Sequence, residues 1–366
     1  MGDRFDVAVV GGGPAGLAAA AFASRAGLST VLFERESGPP DKACGEGLLP
    51  VGVRVLESLG ATSYLTPADW RAFVGIRYVQ EDGSCAEGRL PAGGGRGIRR
   101  TALVSALARC ATESGAELRW GCAVDGFSRG DETITVRIGP AEVRARVLVA
   151  ADGLLSRMRR LAGLERPVSR LQRFGLRQHF RVRPWSDQVE VHLREGMEAF
   201  VTPAGESRVG LAFLWERSAH PGPASVEAFL QRFPALEDRL AGAPVDSHPR
   251  SAGPLAQSTS ACTADGVVLL GDAGGHVDAI TGEGISLALT CAQALGSLLS
   301  TALADGATRE ALRSYERFHA REFRRYALVC RVMLSLARRP RIRRRVVRFL
   351  GSHPGLFERL IAAAVA

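Results

Sequence analysis

The sequence predicts an α/β fold in which an antiparallel sheet is inserted into a mainly parallel one. Two strand-like runs, at residues 5–10 and 30–35, flank a glycine turn and a small-residue helix, which is the pattern of a βαβ unit. Between about 174 and 215 the pattern changes to short alternating runs separated by proline, glycine and charged turns, which indicates antiparallel strands with one covered face. From Gly284 onward the pattern is helical.

The remaining elements are predicted in chain order. Residues 99–115 carry apolar side chains four positions apart and should form a helix, and "VRARVLVAADG" reads as the strand that follows. The fully apolar "GVVLLGDA" at 266–273 should rejoin the first sheet. We therefore expect three parts. They are a discontinuous nucleotide-binding domain at 1–77, 98–170 and 259–310, an inserted substrate domain at 78–97 and 171–258, and a C-terminal helical segment at 311–366.

The composition excludes several classes of protein. An apolar content of 46% indicates a globular protein with a sizeable core, and no uninterrupted apolar run is long enough for a membrane span. The apolar N-terminus carries Asp3 and Asp6 and then glycines, so we expect no signal peptide. The seven cysteines are scattered and never form C-x-x-C, so we expect no metal site, no disulfide framework and a reducing, cytoplasmic compartment. The net charge is +9, but basic residues occur throughout the chain without an aromatic-interleaved repeat, so we expect no nucleic-acid partner.

The strongest motif is a glycine turn between the first strand and the first helix. Gly11 permits the tight turn, Gly13 lets the backbone approach a pyrophosphate, and Gly16 lets helix and strand pack closely. Glu34, at the end of the second strand, can accept hydrogen bonds from ribose hydroxyls. This context predicts a Rossmann-like dinucleotide site, although the motif alone does not distinguish FAD from NAD.

Two later motifs resolve that choice. "ADGLLSRMR" places Asp152 after a strand, and "LLGDAGGHVDAITGEGI" places Asp272 at a strand end before a second glycine turn. With all three motifs in order over roughly residues 5–300, the chain resembles the FAD-dependent family that includes p-hydroxybenzoate hydroxylase-type monooxygenases, geranylgeranyl reductases and flavin-dependent halogenases. The resemblance implies bound FAD, with NAD(P)H as a transient reductant because no second dinucleotide motif is present. "AGGGRG" at 92–97 is predicted to be a loop.

The resemblance also implies roles for particular residues. Asp272 would accept a ribityl hydroxyl, the turn at 282–285 would face the flavin pyrimidine edge, and Asp152 would lie near the pyrophosphate. The alternative for both aspartates is an ordinary turn or helix-capping carboxylate, and Arg99 could replace Arg100 as the cofactor-contacting arginine. The full predicted cofactor set is Gly11, Gly13, Pro14, Ala15, Gly16, Glu34, Arg35, Cys44, Gly45, Arg100, Val124, Asp152, Gly271, Asp272, Gly282, Glu283, Gly284 and Ile285.

The segment "PPDKACGEGLLP" at 39–50 contains Lys42, the only lysine of the chain. Its K-x-C-G-x-G pattern is similar to the geranylgeranyl reductase subgroup, and the resemblance places it beside the flavin. We assign Cys44 and Glu46 as candidate catalytic residues, with a small buried cysteine as the alternative. Lys42 either attracts an anionic group or has no role there. His276 is a third catalytic candidate, as a proton donor, unless its imidazole is structural.

Three reactions share the resembled scaffold. Halogenases carry a W-x-W-x-I-P segment and a tunnel lysine, neither of which is present. Prenyl reductases carry a tryptophan-containing segment in the substrate sheet, and the corresponding stretch here lacks it. We therefore expect a monooxygenase acting on an apolar or aromatic small molecule, with a double-bond reductase as the alternative and a flavin-binding regulatory protein as the non-enzyme alternative. We expect a monomer or homodimer.

The C-terminal stretch from 338 onward is rich in arginine and can form helices with basic and apolar sides. Such helices could rest on an anionic membrane surface or receive a lipid-like substrate. The favoured expectation is a helix packed on the FAD-binding domain.

Overall fold

The computed structural model describes residues 4–91, 93–130, 132–168, 172–220 and 222–365. The described strands are β1 (Arg4–Val10), β2 (Thr30–Glu34), β3 (Gly47–Leu48), β4 (Trp70–Phe73), β5 (Gly75–Val79), β6 (Cys85–Arg89), β7 (Gly95–Ile98), β8 (Glu117–Trp120), β9 (Gly126–Arg129), β10 (Ile134–Ile138), β11 (Ala141–Ala150), β12 (Glu165–Arg166), β13 (Arg173–Phe180), β14 (Gln188–Arg194), β15 (Met197–Pro203), β16 (Val209–Glu216), β17 (Arg250–Ala252), β18 (Ser258–Thr259), β19 (Thr263–Ala264) and β20 (Val267–Leu269). The described helices are α1 (Pro14–Arg25), α2 (Pro50–Ser58), α3 (Arg100–Glu113), α4 (Arg157–Leu161), α5 (Val226–Leu230), α6 (Pro234–Leu240), α7 (Gly284–Ala304), α8 (Arg313–Ala337), α9 (Pro340–Ser352) and α10 (Pro354–Val365).

The first sheet has the order β19-β20-β11-β1-β2-β8. From β20 to β8 the strands are parallel, and the hairpin of β9 and β10 pairs antiparallel with β11. The C-terminal halves of β1 and β11 are apolar and buried because both faces are covered there, and α1 packs against both α3 and α7. The predicted βαβ unit and the return of the chain through β20 are confirmed, and with them the predicted α/β fold class.

The second sheet has the order β17-β13-β16-β15-β14-β5-β6. Its pairs are antiparallel except for β14 and β5, which run parallel. The expectation of a single covered face is wrong for β13, β15 and β16, whose residues are buried on both faces. Helices α5 and α6 cover one face through Phe229 and Leu236, and the other face lines a cavity between the sheets.

A small third sheet, β3-β7-β4, joins the two larger ones. It overturns the prediction that residues 92–97 form a loop, since Gly95–Ile98 is strand β7, while residue 92 lies outside the described residues. A Cβ atom on Gly95 would overlap the Phe73 ring, and one on Gly97 would overlap the Pro203 carbonyl. The glycines therefore serve close strand packing and do not mark a flexible turn.

The C-terminal helices differ from the expectation. Helix α8 packs along α7 of the first domain, but α9 and α10 pack on β6 of the second sheet. Arg343 of α9 is fully buried and donates to the Gln80 side chain at 2.9 Å and to Glu81 at 3.1 Å. Phe357 of α10 contacts the Tyr78 ring, with the centroids 5.9 Å apart. Packing on the FAD-binding domain is therefore correct for α8 alone.

Helix α7 is the one described helix whose length and apolar composition would suit a membrane span. Half of its most apolar stretch is buried inside the protein, so it serves here as a core helix. The predicted domain boundaries remain predictions: the boundary at 77/78 falls inside β5, and the one at 170/171 lies outside the described residues.

Candidate active site

A cavity of about 290 Å³ lies where the first sheet, the loop after β2 and the second sheet meet. Its walls bring together most of the predicted site. The predicted residues that line it are Gly13, Pro14, Ala15, Cys44, Gly45, Glu46, Arg100, Gly271, Asp272, His276, Gly282, Gly284 and Ile285. The predicted residues outside its lining are Gly11, Gly16, Glu34, Arg35, Val124, Asp152 and Glu283.

The three motif glycines have different physical roles. Gly11 has φ +112°, and a Cβ there would overlap the Ala151 carbonyl, while a Cβ on Gly16 would overlap the Gly11 carbonyl. On Gly13 a Cβ would meet only Arg100 Nη2, at 3.7 Å. Gly13 is also the N-cap of α1, with no side-chain hydrogen bond to the cap. The open backbone and the uncapped N–H groups at this end of α1 suit a pyrophosphate.

Arg100 supplies a second indication that an anionic group fits here. Its side chain lines the cavity, and its Nε atom is buried without a hydrogen-bond partner in the described part of the chain. A buried guanidinium nitrogen without a partner is costly, and a phosphate oxygen would satisfy it. Arg99, the alternative, instead donates to Glu46 at 3.0 Å.

Glu34 ends β2 beside the glycine turn. Its carboxylate is buried and accepts from the Gly12 N–H at 2.6 Å and the Glu36 N–H at 3.0 Å. Arg35 points to solvent and pairs with Glu36 at 3.3 Å, while Val124 is half-buried against the core. The turn thus positions Glu34. Cofactor binding by Glu34, Arg35 and Val124 stays a prediction.

The motif "ADGLLSRMR" at 151–159 holds the turn that contains Asp272 in place. The Asp152 carboxylate accepts from the hydroxyl of Ser156, the N-cap of α4, and from the Met158 N–H in the first turn of that helix. These bonds are of the kind expected if Asp152 has a structural role. Arg159 of the same helix is fully buried and donates to the Asp272 carbonyl at 3.4 Å. The motif therefore connects α4 to the turn that places Asp272 in the cavity wall.

Glu46 is the centre of a buried polar cluster. It has φ +59°, which is uncommon for a residue with a side chain, and its carboxylate is held on both oxygens. Oε1 accepts from Arg99 at 3.0 Å and from the Arg100 N–H at 3.0 Å, and Oε2 lies 2.7 Å from His179 Nε2. These bonds fix the loop against β13 and α3. The geometry supports a role for Glu46 in positioning Cys44.

Arg177 of β13 extends the polar cluster around Glu46. It donates to His179 Nδ1 at 3.2 Å and also binds Asp41 and the Lys42 carbonyl. Burial lowers the pKa of His179, helped by Arg99 and Arg177. Burial would raise the pKa of Glu46, but the bond from His179 and the two arginines lower it overall. We therefore assign neutral His179, donating from Nε2, and ionised Glu46.

Cys44 and Lys42 face the cavity from this fixed loop. Burial raises the pKa of the Cys44 thiol, so it is protonated at neutral pH, and its sulfur accepts from the Glu46 N–H at 3.3 Å. Burial lowers the pKa of Lys42, with Glu34 and Asp272 acting in the opposite direction. Within the described residues the ammonium has no hydrogen bond or ion pair, which supports the prediction that it attracts an anionic group.

His276 is buried in the cavity wall. Its Nδ1 lies 2.9 Å from the Leu255 carbonyl, so Nδ1 carries a proton and donates it there. This bond orients the ring. It is the kind of bond expected if the imidazole of His276 has a structural role. A catalytic role for His276 stays a prediction.

The other half of the cavity was not predicted residue by residue. It is apolar and comes mainly from β4 and from the second sheet, which includes β5. Its main side chains are Phe73, Ile76, Tyr78, Val189, Val191, Phe200, Ala212, Leu214 and Leu255. Alternation along the strands was the available signal, because every second residue of β14 faces the same way.

Glu283, the N-cap of α7, lies beside a second, smaller cavity with Glu322 and Arg325. Burial raises the pKa of Glu283 to about 7, against an ordinary value of 4.5, and Arg325 partly opposes the shift. A carboxyl group whose pKa is raised by folding destabilises the folded state as the pH rises from the unfolded pKa to the folded one.

Glu283→Gln should therefore raise the thermal midpoint at pH 8 and leave it nearly unchanged at pH 4. The gain at pH 8 is at most about 3 kcal/mol, because one unit of pKa corresponds to roughly 1.4 kcal/mol. Thermal unfolding at pH 4, 6 and 8 measures it. Glu322→Gln is the matched control and should keep the wild-type pH dependence. A pH profile of Glu283→Gln that follows the wild type would refute the assignment.

Comparison with known proteins identifies the family of this chain. Residues 4–329 match the family model described as FAD binding domain. The chain belongs to this family, and it is an FAD-dependent oxidoreductase.

The chain is also similar to curated reductases and to a solved structure. The chain is 31% identical to digeranylgeranylglycerophospholipid reductase 2 of Methanopyrus kandleri, over 83% of this chain and 79% of that protein. It is 28% identical to the menaquinone reductase of Mycolicibacterium smegmatis, over 82% and 78% of the two chains. The crystal structure of a geranylgeranyl bacteriochlorophyll reductase-like protein from Thermoplasma acidophilum shares the fold. Its TM-score is 0.82 at 21% identity, covering 100% of this chain and 94% of that one.

Proposed function

We propose that this protein reduces carbon–carbon double bonds of an isoprenoid lipid, with NAD(P)H as the source of electrons. The observation that carries the proposal is the two-part cavity. One part of its lining is the uncapped start of α1, Arg100 and the loop of Cys44, and the other part consists of aliphatic and aromatic side chains. An apolar chain can lie in the second part with one of its bonds beside the first.

The relatives support the same reaction. Two of them are named as reductases, one of a geranylgeranyl lipid and one of menaquinone, and both names denote lipids with isoprenoid chains. Oxygen transfer, the reaction favoured by the sequence, is less well supported than its reductase alternative. The missing tryptophan segment weighed against a reductase, but aromatic and aliphatic residues of the second sheet supply an apolar wall without it.

Reduction of one double bond requires a hydride and a proton. When bound, FAD supplies the hydride, having received it from NAD(P)H. The proton that completes the second C–H bond is assigned to the Cys44 thiol, which is protonated because burial raises its pKa. The thiolate then regains a proton from solvent. Glu46 and His179 hold the loop so that the thiol keeps its position.

Product analysis tests the proposal. The holoprotein with NADPH is incubated under strict anaerobiosis with a detergent-solubilised geranylgeranyl lipid, which has no quinone ring to take up two hydrogens. We expect products heavier by two hydrogens for each reduced bond, formed in the absence of oxygen. Products that gain an oxygen atom, and form only in air, would establish a monooxygenase instead.

Cys44→Ser tests the proton assignment in the same assay. We expect slower turnover with unchanged FAD content, since a serine hydroxyl is a weaker acid than a thiol. Cys122→Ser is the matched control, because Cys122 is half-buried and lies outside the cavity lining. Unaltered turnover of Cys44→Ser would show that the thiol only fills space.

A further inference from the structure

The positive charge of the chain is concentrated in its last helices. Residues 313–366 contain fourteen arginines and three glutamates, a net charge of +11. The whole chain carries +9, so the remainder is slightly negative at −2. Basic residues do occur throughout the chain, but their excess over acidic residues lies in this segment. An excess confined to three consecutive helices gives that part of the surface a strong positive potential.

The same helices carry most of the exposed apolar side chains. Among the described residues ten large apolar side chains are exposed, and six of them lie on α8, α9 and α10. They form one pair on each helix: Leu328 and Val332, Ile342 and Phe349, and Leu356 and Leu360. Each pair is spaced by four or seven residues, so its members share one helix face.

Each apolar pair is accompanied by an exposed arginine on the same face. Arg331, Arg345 and Arg359 each follow the first apolar residue of a pair by three positions, which makes them neighbours on the helix surface. None of the three has an ion pair in the described structure. Apolar side chains interleaved with unpaired arginines suit the boundary of a bilayer, where arginines keep their charge among headgroups.

The inner face of α10 adjoins the wall of the main cavity. Phe357 of α10 contacts Tyr78, which lines it. The second, smaller cavity is walled by the end of α10 and by Arg325, and it shares Leu49 with the main cavity. A lipid leaving a bilayer near α10 would therefore be separated from the main cavity by the side chains of its wall.

We infer that the outward faces of α8, α9 and α10 form a docking surface for an anionic lipid bilayer. The protein would bind peripherally, with the six apolar side chains below the headgroups and the arginines among them. Nucleic acid also attracts arginine, but it offers no apolar layer for Leu328, Phe349 or Leu360. The inference concerns binding and stands independently of the reaction catalysed.

Vesicle flotation of the FAD-loaded protein at 0.15 M salt, roughly physiological ionic strength, tests the inference. The vesicles contain either phosphatidylcholine alone or phosphatidylcholine with phosphatidylglycerol. We expect flotation mainly with the anionic vesicles. Arg341→Glu with Arg345→Glu should weaken partitioning by at least about 25-fold, since each arginine at an anionic surface contributes about fivefold. Ile342→Ser with Phe349→Ser should weaken it by roughly tenfold per side chain.

The matched control is Val245→Ser with Arg144→Glu, which changes an exposed apolar residue and an exposed arginine elsewhere on the surface. It should float like the wild type. All variants should keep wild-type FAD content and thermal midpoint, because the changed side chains are exposed. Equal flotation with neutral and anionic vesicles, or unchanged flotation of the α9 variants, would overturn the inference. Tight binding to duplex DNA at the same salt without flotation would also overturn it.

Discussion

Gly13→Val should give a folded but colourless protein. The added side chain projects into the cavity beside Arg100, where the pyrophosphate is expected, and meets no backbone of the protein itself. Hydrogen bonds to charged groups contribute roughly 1.5–3 kcal/mol each. Loss of two of them weakens FAD binding by about 100-fold or more. The absorbance ratio of flavin to protein after purification measures the effect.

Gly38→Val is the matched control for this experiment. Gly38 lies in the loop after β2, its φ is not in the left-handed region, and a Cβ there meets nothing within 4 Å. We expect this variant to purify yellow, with the wild-type thermal midpoint of the apoprotein. A yellow Gly13→Val protein with full FAD content would refute the placement of the pyrophosphate at the start of α1.

Glu46→Ala should lower the free energy of unfolding by about 3–5 kcal/mol, the cost of leaving buried charged partners unpaired. The substitution removes the acceptor of Arg99, of the Arg100 N–H and of His179. It also frees the loop that carries Cys44, so turnover should fall with stability. Denaturant unfolding of the apoprotein measures the first effect separately from cofactor binding.

The control for Glu46 is Glu57→Ala, which removes an exposed carboxylate that pairs with Arg96 at 2.7 Å. A surface pair of this kind contributes no more than about 1 kcal/mol.

Folding lowers the pKa of Glu46 below its ordinary value of 4.5. Its contribution is therefore present above pH 4.5 and is lost as the pH falls through the lower, folded pKa. A Glu46→Ala protein as stable as Glu57→Ala would show that the cluster does not hold the loop.

The parts of the site predicted from sequence are those with local chemical requirements. Gly11 and Gly16 are glycines because any Cβ would overlap backbone, and the turn that contains Asp272 directly follows an apolar strand. Such constraints act over a few residues, so a pattern of a few residues reveals them. The fold class could be predicted from the same glycine turns and from the change, near residue 174, to short alternating runs.

Long-range partners could not be predicted in this way. Glu46 and His179 are 133 positions apart, and only the packing of β13 against the loop brings them together. The polar cluster carries no local pattern, since histidine and arginine on a strand are usually solvent-facing. The placement of α9 was missed for a related reason, because Arg343 appears on the sequence as one more surface arginine but is buried against Gln80.

Single-turnover reoxidation of the reduced flavin tests the central claim most directly. The holoprotein is reduced with one equivalent of NADPH under anaerobiosis and mixed with detergent-solubilised geranylgeranyl lipids, which, unlike menaquinone, carry no quinone ring that could reoxidise the flavin. An isoprenoid reductase should regain the absorbance of oxidised flavin as the lipid is reduced, in stoichiometric amount and without oxygen. Flavin that stays reduced with these lipids, and is reoxidised only when oxygen is admitted, would contradict the assignment.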